Sequence, residues 1–342
     1  MKADLKNMTI EEMEQFFDSI GEKKFRANQV FAWLHRGIYS FEEMTDLSKN
    51  LRHKLEETAM IEKLEAASVQ ESKQDGTKKY LFILSDGNAI ESVFMKYKYG
   101  NTICISSQAG CRMGCGFCAS TMKGLSRNLK AGEMVDQVIA VERDTSEKIG
   151  NVVVMGTGEP FDNYKNLSKF IKIINAKEGL NIGMRSITVS TCGLIPEIDE
   201  MAKEFPQVNL AISLHAPNDE IRSKMMPINK RYGMEDLLKA CKKYIDKTGR
   251  RITFEYALVE GVNDSQKNAL ELAEKLRGLN CHVNLIPLNS VQETGLKGTE
   301  KASSNRFREI LENRGIQTTI RRELGSDIDA ACGQLRLKNL KE

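Results

Sequence analysis

Apolar residues recur at helical intervals through the first sixty positions, and the period then changes twice. After Thr9-Ile-Glu-Glu12, which has capping-box spacing, Ile10, Met13, Phe16, Phe17 and Ile20 fall at helical intervals and Gly21 supplies a stop. The pattern returns from Phe25 to Leu34, ending at Gly37, and from Leu47 to Leu55, which predicts a three-helix unit over residues 1–60. Such a unit is too small to be the catalytic body and reads as an accessory or binding module.

Alternation follows. KKYLFILS and AIESVFMKY flank Asp86-Gly87, a strong hairpin signal, which predicts a β extension over residues 61–100 with Glu91 in its second strand. From about Thr102, the strand-like runs TICIS, NVVVM, SITVS, VNLAISL, RITFEYAL and HVNLIPL alternate with helical patterns. Six β/α units imply a parallel sheet with crossover helices, so residues 101–342 are expected to form a partial (β/α)6 TIM barrel, and the chain is of the α/β class. In a barrel, chemistry collects at the C-terminal ends of the strands.

Composition narrows the setting. Of the 342 residues, 41% are hydrophobic and 28% charged, which describes a globular chain with ample core. The start, MKADLKNMTIEEM, has no apolar leader, and no run approaches the roughly 18 apolar residues of a membrane span, so a cytoplasmic protein without a membrane partner is expected. In that reducing compartment, crowded cysteines read as metal-binding or catalytic rather than as disulfides. The net charge of +3 is mild, yet Lys23, Lys24, Arg26 and Arg36 are grouped, and Arg321 and Arg322 are adjacent. Both groups permit phosphate contacts, although a solvated surface has the same signature.

Three of the eight cysteines lie in CRMGCGFC, where Cys111, Cys115 and Cys118 have the spacing C-x3-C-x2-C just after the first barrel strand. A zinc knuckle would need a distant fourth ligand. Three thiolates on a [4Fe–4S] cluster would instead leave one iron open to a substrate. Later strand ends offer Gly158 and Glu159 in MGTGEP, Ser190 in VSTCG, Ser213 and His215 in AISLHAP, and Asn289 in NLIPLN. Taken singly, each would pass for an ordinary loop residue. By the same standard Cys104 is a core cysteine in an alternating strand, Cys332 is an exposed loop cysteine, and Cys192, Cys241 and Cys281 are packing or incidental thiols.

The C-x3-C-x2-C loop after a first barrel strand, with aromatic Phe117 before its third cysteine, resembles the radical S-adenosylmethionine superfamily. At closer range FRANQVFAWL, SSQAGCRMGCGFC, MGTGEP, STCG, SLHAP, NLIPLN and DIDAACGQL together resemble the RlmN family of dual-specificity adenine-C2 RNA methyltransferases, over nearly the whole chain. The resemblance implies a [4Fe–4S] cluster on Cys111, Cys115 and Cys118. It implies an S-adenosylmethionine site that includes Gly158, Glu159, Ser190, Ser213, His215 and Asn289. It also implies two S-adenosylmethionine molecules per methylation: one methylates Cys332, and the radical from the second removes hydrogen from that methyl group, which then adds to C2.

Glu91 matches the family's proton acceptor, and Cys104 the thiol that attacks the Cys332 sulfur and closes a transient disulfide. The implied substrates are adenine 2503 of 23S rRNA and adenine 37 of tRNA. The implied electron donor is a flavodoxin or ferredoxin, and a monomer is expected. Two rival readings stand beside this one. The first is C8 methylation of the same rRNA adenine by the related antibiotic-resistance enzyme Cfr, against which the intact GEP motif and the amino-terminal module favour C2. The second is a noncatalytic iron–sulfur or zinc protein that binds RNA, which would not consume S-adenosylmethionine.

Overall fold

The capping box at Thr9 forms: its hydroxyl accepts the Glu12 N–H at 3.3 Å, and the Glu12 carboxylate accepts the Thr9 N–H at 2.9 Å. It starts helix α1 (Ile10–Ser19), and Gly21 ends the turn at φ +73°. Helices α2 (Phe25–Leu34) and α3 (Lys49–Thr58) complete the amino-terminal unit. The computed structural model describes residues 2–288, 295–322, 324, 325, 327, 328 and 335. Asn289 and Cys332 lie outside the described residues.

Among the described residues, one mixed sheet of ten strands runs from Glu65 to Ile320. Its strands are β1 (Glu65–Glu71), β2 (Lys78–Ile83), β3 (Ala89–Tyr97), β4 (Gly100–Cys104), β5 (Asn151–Val154), β6 (Ile187–Thr191), β7 (Asn209–Ser213), β8 (Ile252–Leu258), β9 (Cys281–Pro287) and β10 (Gln317–Ile320), and their spatial order follows the chain. The first four pair antiparallel. From β4 to β10 every pairing is parallel.

Helices α4 (Ala131–Thr145), α5 (Tyr164–Asn175), α6 (Ile195–Glu204), α7 (Asp219–Met225), α8 (Met234–Thr248), α9 (Gln266–Lys275) and α10 (Lys301–Glu312) lie in the crossovers. Parallel strands laid down in chain order put successive right-handed crossovers on one side of the sheet, which is barrel construction rather than a doubly wound sheet. The six expected β/α units are present, and two strands absent from the expectation form the sheet's edges: β1, almost wholly exposed, and β10. Edge strands carry polar residues and bury little, so neither shows an apolar run.

The core is continuous from the amino-terminal helices to the barrel. Phe17, Phe31 and Leu34 belong to the same buried cluster as Ile139 of α4 and Val152 of β5. Lys6, buried, donates to the Glu62 carbonyl at 2.7 Å and to the Asp136 carboxylate on α4, tying the amino-terminal unit to the first crossover helix. Gly132 allows the approach, since a Cβ there would stand 3.0 Å from the Asn7 nitrogen. No helix among the described residues is long and apolar enough to cross a membrane.

Candidate active site

Pairing register decides which side chains face the barrel interior. Ile90, Phe94, Ile103, Val152, Val154, Val189, Leu210, Ile212, Phe254, Val283 and Leu285 point to the helices and form the core. The opposite face carries Glu91 and Val93 on β3, Cys104 facing Val93 on β4, and Val153 beside Cys104 on β5. On the far strands it continues through Ser213, Glu255, Asn284 and Thr319, which are register partners in turn. The interior is therefore apolar near β4 and polar across β7 to β10.

Glu91 and Cys104 thus share the inward face at the C-terminal end of the first parallel strand. Cys104 packs with Val93, Met95, Val153 and Met155. The Glu91 carboxylate is buried and lies 3.1 Å from Nζ of Lys79, which has 0% side-chain exposure. The Ser106 hydroxyl donates to the Glu91 carbonyl at 2.7 Å, fixing the strand beneath the carboxylate.

Beyond β4, Gln108–Gly110 and Leu125–Asn128 form a short antiparallel ribbon, and the loop between them carries the three cysteines. Gly110 is obligatory there, because at φ +89° a Cβ would sit 2.0 Å from the Gly124 carbonyl oxygen. The Cys111 N–H donates to that oxygen at 3.0 Å, the Cys118 N–H to the Cys115 carbonyl at 3.1 Å, and the Gly116 N–H to the Met225 carbonyl at 2.9 Å. Cys115 packs against Cys192, Met225, Met226 and Val259, with Phe117 and Cys118 at the margin.

The MGTGEP turn is locked to the base of this ribbon. Gln108 accepts the Glu159 N–H at 2.8 Å and donates to Asp162 at 2.9 Å, while Arg112 pairs with the same Asp162. The Glu159 carboxylate, buried, accepts the N–H groups of Phe161 at 3.0 Å and Cys192 at 2.7 Å. Burial raises its pKa, and these donors oppose the rise. Glu159 therefore splices the GEP turn to the STCG turn, a use of the carboxylate that sequence reasoning did not foresee. The Cys192 side chain packs as the sequence suggests, against Cys115, Met225, Met226 and Val259, while its backbone N–H meets Glu159 and its carbonyl meets Arg222 at 2.7 Å. Cys241 and Cys281 are buried in the core, as expected of packing thiols.

Ser190 and Ser213 meet across β6 and β7, with 3.4 Å between their hydroxyls. His215 sits at φ +55°, its Nδ1 accepts the Ala257 N–H at 2.9 Å, and its ring meets Phe117 edge-on, 4.8 Å between centroids. Burial first, and then Arg222, push its pKa down to about 3, so it is a neutral imidazole at physiological pH. The sequence reading missed Lys79, Gln108, Arg222, Glu255 and Asn284. The signal for Glu255 and Asn284 was there: each is a polar residue inside an apolar run, RITFEYAL and HVNLIPL.

The cysteine loop fits an iron–sulfur cluster. Cys111 is pushed up to about 12, by burial first and then by Cys118, and Cys115 is also raised, by burial first and then by Cys118 and Cys111. Buried, mutually repelling thiols become thiolates when a cation is coordinated to them. Among the described residues no three Cys, His, Asp or Glu converge as ligands of one metal ion. A cubane cluster binds its thiolates at different irons and does not require such convergence.

Comparison with known proteins places the chain. Residues 3–61 match the ribosomal RNA large subunit methyltransferase N-terminal domain, and residues 105–273 match the radical SAM superfamily. Proteins from Thermoanaerobacter sp. strain X514 and Clostridioides difficile strain 630, each named "Probable dual-specificity RNA methyltransferase RlmN", are 56% identical over 99% of both chains and 52% identical over 98% of both chains. The crystal structure of a radical SAM methyltransferase from Sphaerobacter thermophilus is similar at a TM-score of 0.93 and 46% identity, covering 97% of this chain and 98% of that one. With the cysteine loop on the first barrel strand and relatives matching from end to end, the chain belongs to the RlmN family of dual-specificity RNA methyltransferases within the radical SAM superfamily.

Proposed function

We propose that this RNA methyltransferase methylates C2 of adenine, at adenine 2503 of 23S rRNA and adenine 37 of tRNA, through a methylated Cys332 and a transient disulfide with Cys104. In this reading Cys111, Cys115 and Cys118 hold the cluster, and Gly158, Glu159, Ser190, Ser213, His215 and Asn289 border the S-adenosylmethionine site. When bound, the cofactors supply an electrophilic methyl group and a hydrogen-abstracting carbon radical, with two S-adenosylmethionine molecules per methylation and the electron delivered by a flavodoxin or ferredoxin. The enzyme works as a monomer in the cytoplasm, where its RNA substrates are.

Adenine C2 is an electron-poor amidine carbon and a poor nucleophile toward a sulfonium methyl. The Cys332 thiolate takes the methyl instead; once a hydrogen atom has been removed from that methyl group, its carbon bonds to C2, which tethers RNA to the protein. Glu91 accepts the proton that C2 gives up as the adduct radical loses one electron, which would return to the cluster. Cys104 then attacks the Cys332 sulfur, expels the methylated base as an enamine-type leaving group and forms a disulfide that is reduced before the next cycle.

The observation that supports this most is the shared inward position of Glu91 and Cys104, on adjacent hydrogen-bonded strands at the barrel's C-terminal end. Two described residues from either side of Cys332 in sequence touch the antiparallel β1–β3 extension: Asp327 accepts the Ser72 hydroxyl of the β1–β2 turn at 2.6 Å, and Leu335 packs on Leu81 of β2 and Ala89 of β3. Leu81 is the register partner of Glu91.

The test is mass spectrometry of nucleosides from RNA incubated anaerobically with reconstituted enzyme, S-adenosylmethionine and reductant. The expected product is 2-methyladenosine; 8-methyladenosine alone would move the enzyme to the Cfr chemistry. Cys332→Ala should give neither product nor methylated protein, whereas Cys104→Ala should leave RNA crosslinked on a denaturing gel. Normal turnover by Cys104→Ala without crosslink would end the two-cysteine reading.

A further inference from the structure

We propose that the buried guanidinium of Arg222 is the counter-cation of the iron–sulfur centre and raises its reduction potential. The inference rests on Cys111, Cys115 and Cys118 holding the cluster. Arg222 is 0% exposed and is the largest fully buried side chain among the described residues. It donates to the carbonyls of Leu214 at 3.2 Å, Cys192 at 2.7 Å and Ser213 at 3.3 Å, and to the Asn229 side-chain oxygen at 2.8 Å.

All four partners are neutral, and among the described residues no carboxylate lies within ion-pairing distance of it. The carboxylate of Asp219 accepts the Met234 N–H and the Asn229 amide, both at 2.8 Å. A buried cation without a countercharge costs several kcal/mol, so such groups are paired in native proteins.

The missing anion points to the cysteine loop. Arg222 belongs to α7, whose last residue, Met225, accepts the Gly116 N–H at 2.9 Å between Cys115 and Cys118. Met225 and Met226 pack with Cys115 and Cys192 in one apolar cluster, so little water screens the charges. Cys192, whose carbonyl Arg222 holds at 2.7 Å, packs against Cys115 in that cluster.

Three thiolates on a [4Fe–4S] core leave a net negative charge that grows by one on reduction. A fixed buried cation nearby therefore stabilises the reduced state more than the oxidised one. Burial, charge and hydrogen bonding around such clusters are the levers by which proteins set potential.

The rival reading is that Arg222 is only a clip for the STCG and SLHAP strand ends. Midpoint potential separates the two, measured by EPR-monitored redox titration of reconstituted protein without S-adenosylmethionine or RNA, alongside iron content and thermal stability. Arg222→Gln should keep its iron and show a midpoint potential shifted below wild type. Arg222→Lys, which keeps the charge but not the donor fork, should lose thermal stability and retain a near-wild-type potential.

An Arg222→Gln protein with full iron and unchanged potential overturns the proposal. If Arg222→Gln does not fold, Arg222→Lys decides alone, because a lowered potential with the charge retained would also overturn it. Iron retained by a Cys111→Ala/Cys115→Ala/Cys118→Ala protein would instead refute the ligand assignment, and that outcome is read independently.

Discussion

Lys79 and Glu91 form an ion pair, 3.1 Å from Nζ to Oε2, with side-chain exposures of 0% and 4% on neighbouring antiparallel strands. Breaking a buried ion pair by removing one partner typically costs about 3–5 kcal/mol. Lys79→Met and Glu91→Gln should each destabilise the fold by about that amount, while the double variant should recover most of the loss. Denaturant unfolding of all four proteins measures the coupling, and strict additivity would show that the pair contributes nothing as a pair. On the proposed mechanism, Glu91→Gln should additionally accumulate RNA crosslink, since C2 would keep its proton.

Gly158 should tolerate no side chain. At φ +114° a Cβ would stand 2.6 Å from the Gln108 Cβ and 2.8 Å from both the Gln108 nitrogen and the Ser107 hydroxyl. Gly158→Ala should therefore cost about 3 kcal/mol or more and lower iron content, because the GEP turn and the cysteine ribbon are pressed together there. Gly249, at φ +67° with nothing within 4 Å of a Cβ, supplies the comparison, and Gly249→Ala should cost only about 1–2 kcal/mol. Equal losses would contradict the close contact.

His35 should make stability pH-dependent. Burial holds its pKa down to about 4, its Nδ1–H donates to the Phe31 carbonyl at 2.8 Å, and its ring lies 4.1 Å from that of Phe31. The folded pKa is below the unfolded one, so the contribution is present above about pH 6.5 and is lost as the pH falls toward 4, where only the unfolded chain takes up the proton. Between pH 7 and pH 5 the wild type should lose about 2 kcal/mol through this group that His35→Phe does not lose. Urea titrations at the two pH values test it, and an identical pH response would refute it.

RNA affinity should fall with salt. Lys23, Lys24 and Arg36 are exposed, Arg26 and Arg36 lie over the rings of Phe25 and Trp33, and Arg321 and Arg322 are exposed beyond β10. By analogy with DNA, each neutralised phosphate should add about 0.9 to the log–log slope for duplex-like RNA, or about 0.7 for single strands. Lys23→Glu/Lys24→Glu should flatten that slope in filter-binding titrations. A dissociation constant indifferent to salt would remove phosphate contacts from the account.

The three amino-terminal helices, the six β/α units and the cysteine loop were legible in the sequence because each is declared by neighbours in the chain. Thr9 and Glu12 cap their own helix, apolar runs alternate at their own period, and Gly110 makes a local turn for the loop that follows. Family motifs added the roles proposed for Glu91, Cys104 and Cys332, which no spacing reveals. The tertiary structure alone decided what depends on partners far away in the chain. The polar edge strands Glu65–Glu71 and Gln317–Ile320 exist only because a neighbouring strand completes their hydrogen bonds. Lys79 reads as a solvated lysine until register sets it beside Glu91. Arg222 reads as one more surface charge until carbonyls from two strand ends enclose it, because burial of a charge is settled by the groups that surround it and not by its place in the chain.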